Sequence, residues 1–593
     1  MTPPAARPEG TLRSRALALS GSILAALSAG MVFYSYGTAD GFQMIDAVRS
    51  LLILISTWWL AWGAVGGLLG LTTRAAPPAL RHDGPIMGRT VVLFPVYNED
   101  PQVSFARIAA MDASLRATGD PAEVHFAILS DTRNDAIAAQ EHRWFARLLR
   151  DCAGEGRMFY RRRAQNTGKK AGNIEDFFVT SGANYDYALI LDADSLMEGA
   201  TILEMVRRME AQPDLGLLQT LPRIVNARAR FGRAMQFAAS FYSPVFARGL
   251  AMMQGRTGPF WGHNALVRVR AFAESSGLPE LSGKPPFGGH ILSHDYVEAA
   301  LLARAGWTVR LDDDLDGSYE EGPENIVDHA KRDRRWCQGN LQHARLLHAP
   351  GLKPWSRFVF FQGIFGYIAP LFWLAFIVAS VIAMHFAAMP DYFPEPYWRI
   401  PVFPPDATSK AVGLAVGIFG LLLMPKFLVA LDAAVTGRAR GHGGGLRATL
   451  SMLAEVALST VTAPLFLMFQ TRSVLQVLLG RDGGWPANNR GDGRLGLAES
   501  WAASRWITIY GALGLVLTQV LAPELLLWLL PIGGPMVLAP VIIWWTSQDS
   551  LSGTFTVPTE RDAPAVLSAH YAMLLRWSEA DRPTATDPAA PAM

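Results

Sequence analysis

Long apolar runs bracket a stretch of ordinary soluble composition, and this constrains the chain more than any other feature. Two runs, at 16–36 and 51–71, precede the region 89–348, where short apolar strands alternate with polar helices and Gly/Pro turns. Five more follow at 358–386, 411–431, 449–469, 507–521 and 525–545. Runs of about 20 apolar residues cross a hydrocarbon core of about 30 Å, and lipid restricts a spanning backbone to helices or closed barrels. The chain is therefore expected to be a polytopic α-helical membrane protein with an α/β domain inserted between its spans. Composition agrees, since 50% of the 593 residues are hydrophobic and only 18% charged. A net charge of +2 creates no global field favouring nucleic acid, so any basic function is local. Cys152 and Cys337 have no metal-site spacing around them and are expected to be free thiols.

The first run follows Arg7, Arg13 and Arg15 and is succeeded by a second run without a convincing cleavage site, which favours a retained hairpin over a signal peptide. Arg438, Arg440 and Arg447 place the following inter-span loop on the cytoplasmic side. The run 449–469 contains Glu455 and Pro464 and leads into Arg472, Arg481 and Arg490, so it is expected to be interfacial or re-entrant. The resulting plan is a cytoplasmic tail (1–15), a transmembrane hairpin (16–71), a cytoplasmic α/β domain (88–348) and a second hairpin (357–432). Interfacial or re-entrant helices with a candidate gating loop (433–502), a third hairpin (503–546) and a cytoplasmic tail (547–593) complete it.

Within the α/β region, VVLFPVYNED (91–100) and HFAILSD (125–131) each read as a buried parallel strand ending in polar residues, where ligands bind in open α/β sheets. Asp131 closes the second; alone, such an aspartate is more often a turn or cap residue. YALILDADS (187–195) carries more information. Alternation puts Asp192 and Asp194 on one side just after an apolar strand, and a divalent cation bridging to a diphosphate relieves their repulsion. RRRAQNTGKKAGNIEDF (161–177) sets five cations around a turn, and Lys170 among them suits a diphosphate. In SHDYVEAAL (293–301), Asp295 is either a helix cap or a base for an attacking hydroxyl. HAKRDRRWCQGNLQH (329–343) presents a basic face with Trp336, expected to face a ligand.

Taken in this order, the elements resemble processive members of glycosyltransferase family 2, with the GT-A fold also found in cellulose and hyaluronan synthases. Asp131, the Asp192/Asp194 pair and Asp295 match that family's aspartate landmarks, and Lys170 to Asn173 match its KAGN element. Gln219, Thr220 and Pro222 resemble its acceptor-side Gln-Thr-Pro with Leu221 inserted; Arg335 and Trp336 match its Gln-x-x-Arg-Trp, with Arg332 at the Gln position. FWGHNALVR (260–268), ILSHDYVEAAL (291–301), RRWCQGNLQH (334–343) and LLGRDGGWPANNR (478–490) are similar to the glucans biosynthesis glucosyltransferase H family, whose longer members carry a large N-terminal extension.

The resemblance implies a Rossmann-like GT-A domain that polymerises glucose from UDP-glucose into the β-glucan backbone of osmoregulated periplasmic glucans. It implies that Pro95, Tyr97, Glu99, Asp131, Lys170, Asn173, Arg335 and Trp336 hold the nucleotide and that Asp192 and Asp194 hold Mg²⁺ or Mn²⁺. Asp295 is the implied base, and Gln219, Thr220, Trp261, His263, Asn264 and Arg332 the implied acceptor contacts. The implied partners are the growing glucan chain, inner-membrane lipid, a periplasmic glucan-processing protein and an acyl carrier protein; the setting is the bacterial inner membrane with the catalytic domain in the cytoplasm. Two alternatives are a cellulose-like synthase and a non-enzymatic scaffold with a degenerate domain. Only a short segment follows the last apolar run, too little for the cyclic-dinucleotide barrel of a cellulose synthase, and the complete set of aspartates disfavours a scaffold.

Overall fold

A computed structural model of the protein describes residues 11–39, 41–73, 80–387, 408–483, 493–550 and 553–580, with isolated positions between 392 and 401. Its strands are β1 Thr90–Val96, β2 Val124–Ser130, β3 Met158–Arg162, β4 Tyr187–Ile190, β5 Leu196–Met197, β6 Leu215–Gln219, β7 Arg223–Val225, β8 Ala265–Arg268, β9 Thr308–Leu311 and β10 Ser318–Glu321. Seven form one sheet in the order β3-β2-β1-β4-β8-β6-β9, and β5-β10-β7 form a small second sheet. In the large sheet β8 alone runs against its neighbours; β1–β4 are parallel, as are β6 and β9. The carboxyl ends of β1, β2, β4 and β6 and the amino end of β8 therefore meet at one edge.

Alternation along β1 shows why the sheet has helices on both sides. Val92, Phe94 and Val96 face one apolar core and Val91 and Leu93 the other, all at most 4% exposed. The first core is closed by the helices Pro101–Ala117, Asp135–Cys152 and Gly199–Ala211, the second by Lys169–Ser181, Val269–Ser275 and His294–Arg304. The helix Ala565–Ala580 also belongs to the first core. Trp577 is fully buried against Trp144, and its indole N–H donates to Asp151 at 2.8 Å. Part of the segment 547–593, expected as a cytoplasmic tail, is thus built into the domain.

Among the described residues five helices, Thr11–Gly37, Met44–Thr72, Pro354–His385, Thr408–Val435 and Gly445–Leu478, are long and apolar enough to cross a membrane, and the pair Pro523–Val537 and Ala539–Ser547, bent by 59°, adds a sixth if it is one span. The chain is that of a membrane protein. The helix Met44–Thr72 meets Ser243–Gln254 of the α/β domain at a crossing that only glycine permits: a Cβ on Gly70 would lie 1.8 Å from the Val245 carbonyl oxygen, and one on Gly249 would lie 2.1 Å from that of Gly66.

The segment 449–469, expected to be interfacial or re-entrant, lies in one continuous helix, Gly445–Leu478, with Pro464 inside it. Glu455 on it is ion-paired to Lys426 at 2.7 Å and accepts from the Tyr242 hydroxyl at 3.1 Å. Both ends of this helix lie near the α/β domain. At its start, the preceding turn holds Arg438, which donates to the Phe241 carbonyl at 2.7 Å; at its end, Arg334 donates to Gln476 at 3.2 Å and to the Arg481 carbonyl at 2.7 Å.

Candidate active site

The shared sheet edge gathers the aspartates. Asp131 follows β2 and is 5% exposed; both its oxygens accept from Arg163 at 2.8 Å. The same guanidinium donates to the carbonyls of Thr167 (3.2 Å) and Lys169 (3.1 Å), so Arg163 fastens Asp131 to the turn that opens the helix Lys169–Ser181. Asp131, Thr132, Arg133 and the residues 162–167 line an open cleft there. Pro95 lies in β1 and Tyr97 and Glu99 just beyond it, all partly exposed. Between them Asn98, at φ 53°, accepts from the backbone N–H groups of Arg133 and Asn134 at 3.2 Å, joining the loops after β1 and β2.

Asp192 and Asp194 leave β4 side by side in the chain. Lys170 donates to Asp192 Oδ1 and, at 2.6 Å, to the Gly262 carbonyl. A carboxylate and a carbonyl oxygen already accommodate a cation here, and Asp194 adds a second carboxylate. This donor set fits a hard divalent ion whose remaining ligands come from phosphate and water. No group of three or more His, Cys, Asp or Glu that could hold a metal ion occurs among the described residues. The loop is fixed from behind: the Asp192 N–H donates to Ser195 Oγ at 3.0 Å, and buried Arg107 donates to the Ala193 carbonyl at 2.8 Å and pairs with Glu321 at 2.8 Å.

Gly262 links this loop to Asp295. Its φ of 86° favours glycine, and a Cβ there would stand 3.4 Å from Asp295 Oδ2. Asp295 opens the helix His294–Arg304. Burial raises its pKa above the carboxylate range; the neighbouring His294 charge pulls it down and Glu298 pushes it up. His294 is paired with Glu298 at 3.2 Å, and although burial alone would lower its pKa, Glu298 holds it above the usual histidine value. Arg335, from the helix Ile326–Gln342, has its pKa lowered by burial while Asp192, Asp295 and Asp194 pull the other way, so its charge is felt by all three carboxylates. Lys169 is depressed by burial and feels Asp482 and Arg335.

On the presumed acceptor side the residues divide. Gln219, Thr220 and Asn264 are wholly buried and fully used. Gln219 donates to the carbonyls of Thr220 (2.9 Å), His263 (3.0 Å) and Asn264 (3.2 Å) and accepts from the Trp261 N–H at 3.0 Å. Thr220 donates to the Asn264 carbonyl at 2.8 Å and to Ser318 at 2.9 Å. Asn264, at φ 51°, accepts from Ser195 at 2.6 Å and donates to Ser318 at 2.8 Å. Asn173 likewise is 1% exposed, donating to the Leu129 carbonyl at 3.0 Å and accepting from Arg161 at 2.6 Å. These four side chains are hydrogen-bonded to the site's own loops and strands in this structure.

The others keep some exposed surface. Trp261 adjoins Tyr296, next to Asp295. His263 lies 3.5 Å from Glu320; burial would lower its pKa, but Glu320 and then Asp192 outweigh this and raise it. Trp336 is 40% exposed, with the Arg332 guanidinium 4.6 Å over its ring. Arg163 is one of the five cations of 161–177 and Gly262 lies between Trp261 and His263, whereas no local sign marks Glu320 or Arg107. Of the candidate gating loop, Asp482 accepts from Gln338 at 2.8 Å and the Gly483 N–H donates to the same side chain at 3.0 Å. Gly484, Trp485 and Pro486 lie outside the described residues.

A mixed α/β sheet with an Asp-x-Asp loop, a third carboxylate and converging cations defines a glycosyltransferase, and the chain matches Glycosyl transferase family 2 over residues 91–275 and Glycosyl transferase family group 2 over 187–424. It is 63% identical over 576 residues to glucans biosynthesis glucosyltransferase H of Cereibacter sphaeroides, covering 97% of each chain. The proteins of that name from Rhodopseudomonas palustris and Vibrio cholerae are 39% and 38% identical, over 94% and 92% of this chain and 79% and 77% of theirs. The chain belongs to the glucans biosynthesis glucosyltransferase H family. Among solved structures, a mannosyltransferase from Pyrobaculum calidifontis in complex with GDP-Man and Mn²⁺ is 15% identical, with a TM-score of 0.44 over 65% of this chain and 97% of its own.

Proposed function

We propose that this membrane glycosyltransferase transfers glucose from UDP-glucose, with inversion, onto a growing β-glucan that becomes the backbone of osmoregulated periplasmic glucans. The observation that carries this is that Lys170 joins Asp192 to the Gly262 carbonyl, Asp295 lies against Gly262, and Arg335 feels Asp192, Asp194 and Asp295, in a chain 63% identical to a glucosyltransferase H.

Mg²⁺ or Mn²⁺, held by Asp192 and Asp194, would supply positive charge to the diphosphate as it leaves. Arg335 and Lys170 add fixed cations, and Lys169 one more, where negative charge grows on the departing UDP. Asp131 with its Arg163 clamp, Tyr97 and Glu99 lie where the loops after β1 and β2 would receive the nucleoside. Asp295 accepts the proton of the attacking hydroxyl, for which a raised carboxylate pKa makes it a stronger base. Direct attack opposite the leaving UDP converts the α-linked donor into a β-glucoside. Trp261 and Trp336 offer ring faces to the sugar, and His263 and Arg332 polar contacts.

The arginines near both ends of Gly445–Leu478 and their contacts with the α/β domain support placing that helix along the cytoplasmic face of a bacterial inner membrane. In this arrangement the catalytic domain is cytoplasmic, and the spans after residue 357 give the hydrophilic product an exit path. A periplasmic glucan-processing protein and an acyl carrier protein are partners consistent with this role. Incubating the purified protein with radiolabelled nucleotide sugars tests the donor: glucan should form from UDP-glucose, and equal incorporation from GDP-glucose would overturn the assignment.

A further inference from the structure

A groove of about 930 Å³ opens between the helices Pro354–His385, Gly445–Leu478, Leu497–Leu521 and Leu526–Val537. Its walls are apolar over most of their length, with Leu374, Val378, Leu515 and Ile532 among them, yet Arg472, Arg481 and Arg505 line it as well. The Arg472 guanidinium lies 4.9 Å over the Trp506 ring. Among the described residues none of the three arginines is paired with an acidic side chain.

The cationic end has a definite place. Arg334 of the α/β domain donates to Gln476 and to the Arg481 carbonyl, so Arg481 stands where the domain meets the apolar helices. From Arg505 the wall continues to Leu521, about 24 Å of helix, while one leaflet of hydrocarbon is about 15 Å deep. A soluble anion would leave the apolar walls without a partner, and a neutral lipid would leave three cations without one. We propose that this groove binds an anionic phospholipid from the leaflet beside the catalytic domain, its phosphate on Arg472, Arg481 and Arg505 and its acyl chains along the apolar walls. The site is separate from the donor assignment and stands or falls independently of it.

Trp506 in the groove wall is a built-in reporter. The full-length protein is placed in phosphatidylcholine nanodiscs containing brominated phosphatidylglycerol or, at the same mole fraction, brominated phosphatidylcholine, and the fluorescence of Trp506→Phe is subtracted from that of the wild type. An arginine facing an anionic headgroup strengthens association roughly fivefold. Phosphatidylglycerol should therefore quench Trp506 with a preference of roughly a hundredfold for three arginines, falling about fivefold in Arg505→Gln and about twenty-five-fold in Arg472→Gln/Arg505→Gln. Arg472→Lys/Arg505→Lys should retain most of it, which separates loss of charge from loss of fold. Equal quenching by the two lipids, or a preference that survives the double glutamine variant, overturns the proposal. Abolition of the preference by soluble glycerophosphate would assign the arginines to a free anion and also overturn it. Absence of Trp506 quenching by either lipid would mean that a second copy or another segment of the chain fills the groove, with the same consequence.

Discussion

Replacing Asn264 with alanine separates a positioning residue from a sugar contact. In the folded protein its carboxamide accepts from Ser195 at 2.6 Å and donates to Ser318 at 2.8 Å, with no exposure. The substitution leaves the Ser195 hydroxyl proton without an acceptor, at about 1–3 kcal/mol for a buried group. It also places alanine at φ 51°, which costs about 1–2 kcal/mol and which asparagine tolerates better. The sum is about 2–5 kcal/mol. For a domain of this size each kcal/mol lowers the melting temperature by roughly 2–4 °C, so Asn264→Ala should melt about 10 °C lower in a fixed-rate scan. Ser195→Ala should cost less in the Asn264→Ala background than in the wild type, because the shared bond is already gone. A variant with wild-type melting and a raised KM for acceptor glucan would refute this reasoning and restore Asn264 to the acceptor site.

Asp192→Asn or Asp194→Asn should abolish nearly all transfer while the protein still inserts, since losing a cation on the leaving phosphate costs several kcal/mol of transition-state stabilisation; full turnover in EDTA would contradict this. Asp295 must be ionised to act as a base, so kcat should fall as pH drops through a pKa lying above the ordinary carboxylate value of about 3.9. His294→Gln removes the charge that opposes that rise, so the acid limb should move to higher pH; an unmoved limb would dissociate it from Asp295. Leu446 and Leu479, near the two ends of the long apolar helix, are 76% and 74% exposed. Cysteines at both positions should resist an impermeant thiol reagent in intact spheroplasts and react after permeabilisation, whereas outside labelling of either one would make 445–478 a span.

Strand ends were the legible part of the sequence. Apolar runs closing on Asp131 and on Asp192/Asp194 mark the carboxyl edge of a parallel sheet whatever surrounds them, and the structure puts them there. Gln219, Thr220, Asn264 and Asn173 were not legible in the same way, because a polar side chain beside a site looks identical in sequence whether it meets a ligand or a buried backbone carbonyl. Only burial separates the two cases, and all four are at most 1% exposed. Pairings across long stretches of chain were equally hidden. Arg163 was one cation among five, Glu320 lies far along the chain from His263, and nothing local announces that Trp577 packs on Trp144. The helix Gly445–Leu478 has the length and apolarity of a span while both its ends lie near the α/β domain, a conflict that sequence could raise through Glu455 and the arginines without resolving.

Linkage analysis of the product made by the purified protein from radiolabelled UDP-glucose and Mg²⁺ tests the central claim most directly. A β-linked glucose polymer, absent when Asp295 is replaced by asparagine and absent in EDTA, is the expected result. An α-linked product, or polymer formed undiminished by Asp295→Asn, would contradict the assignment of Asp295 as the base of an inverting β-glucan synthase.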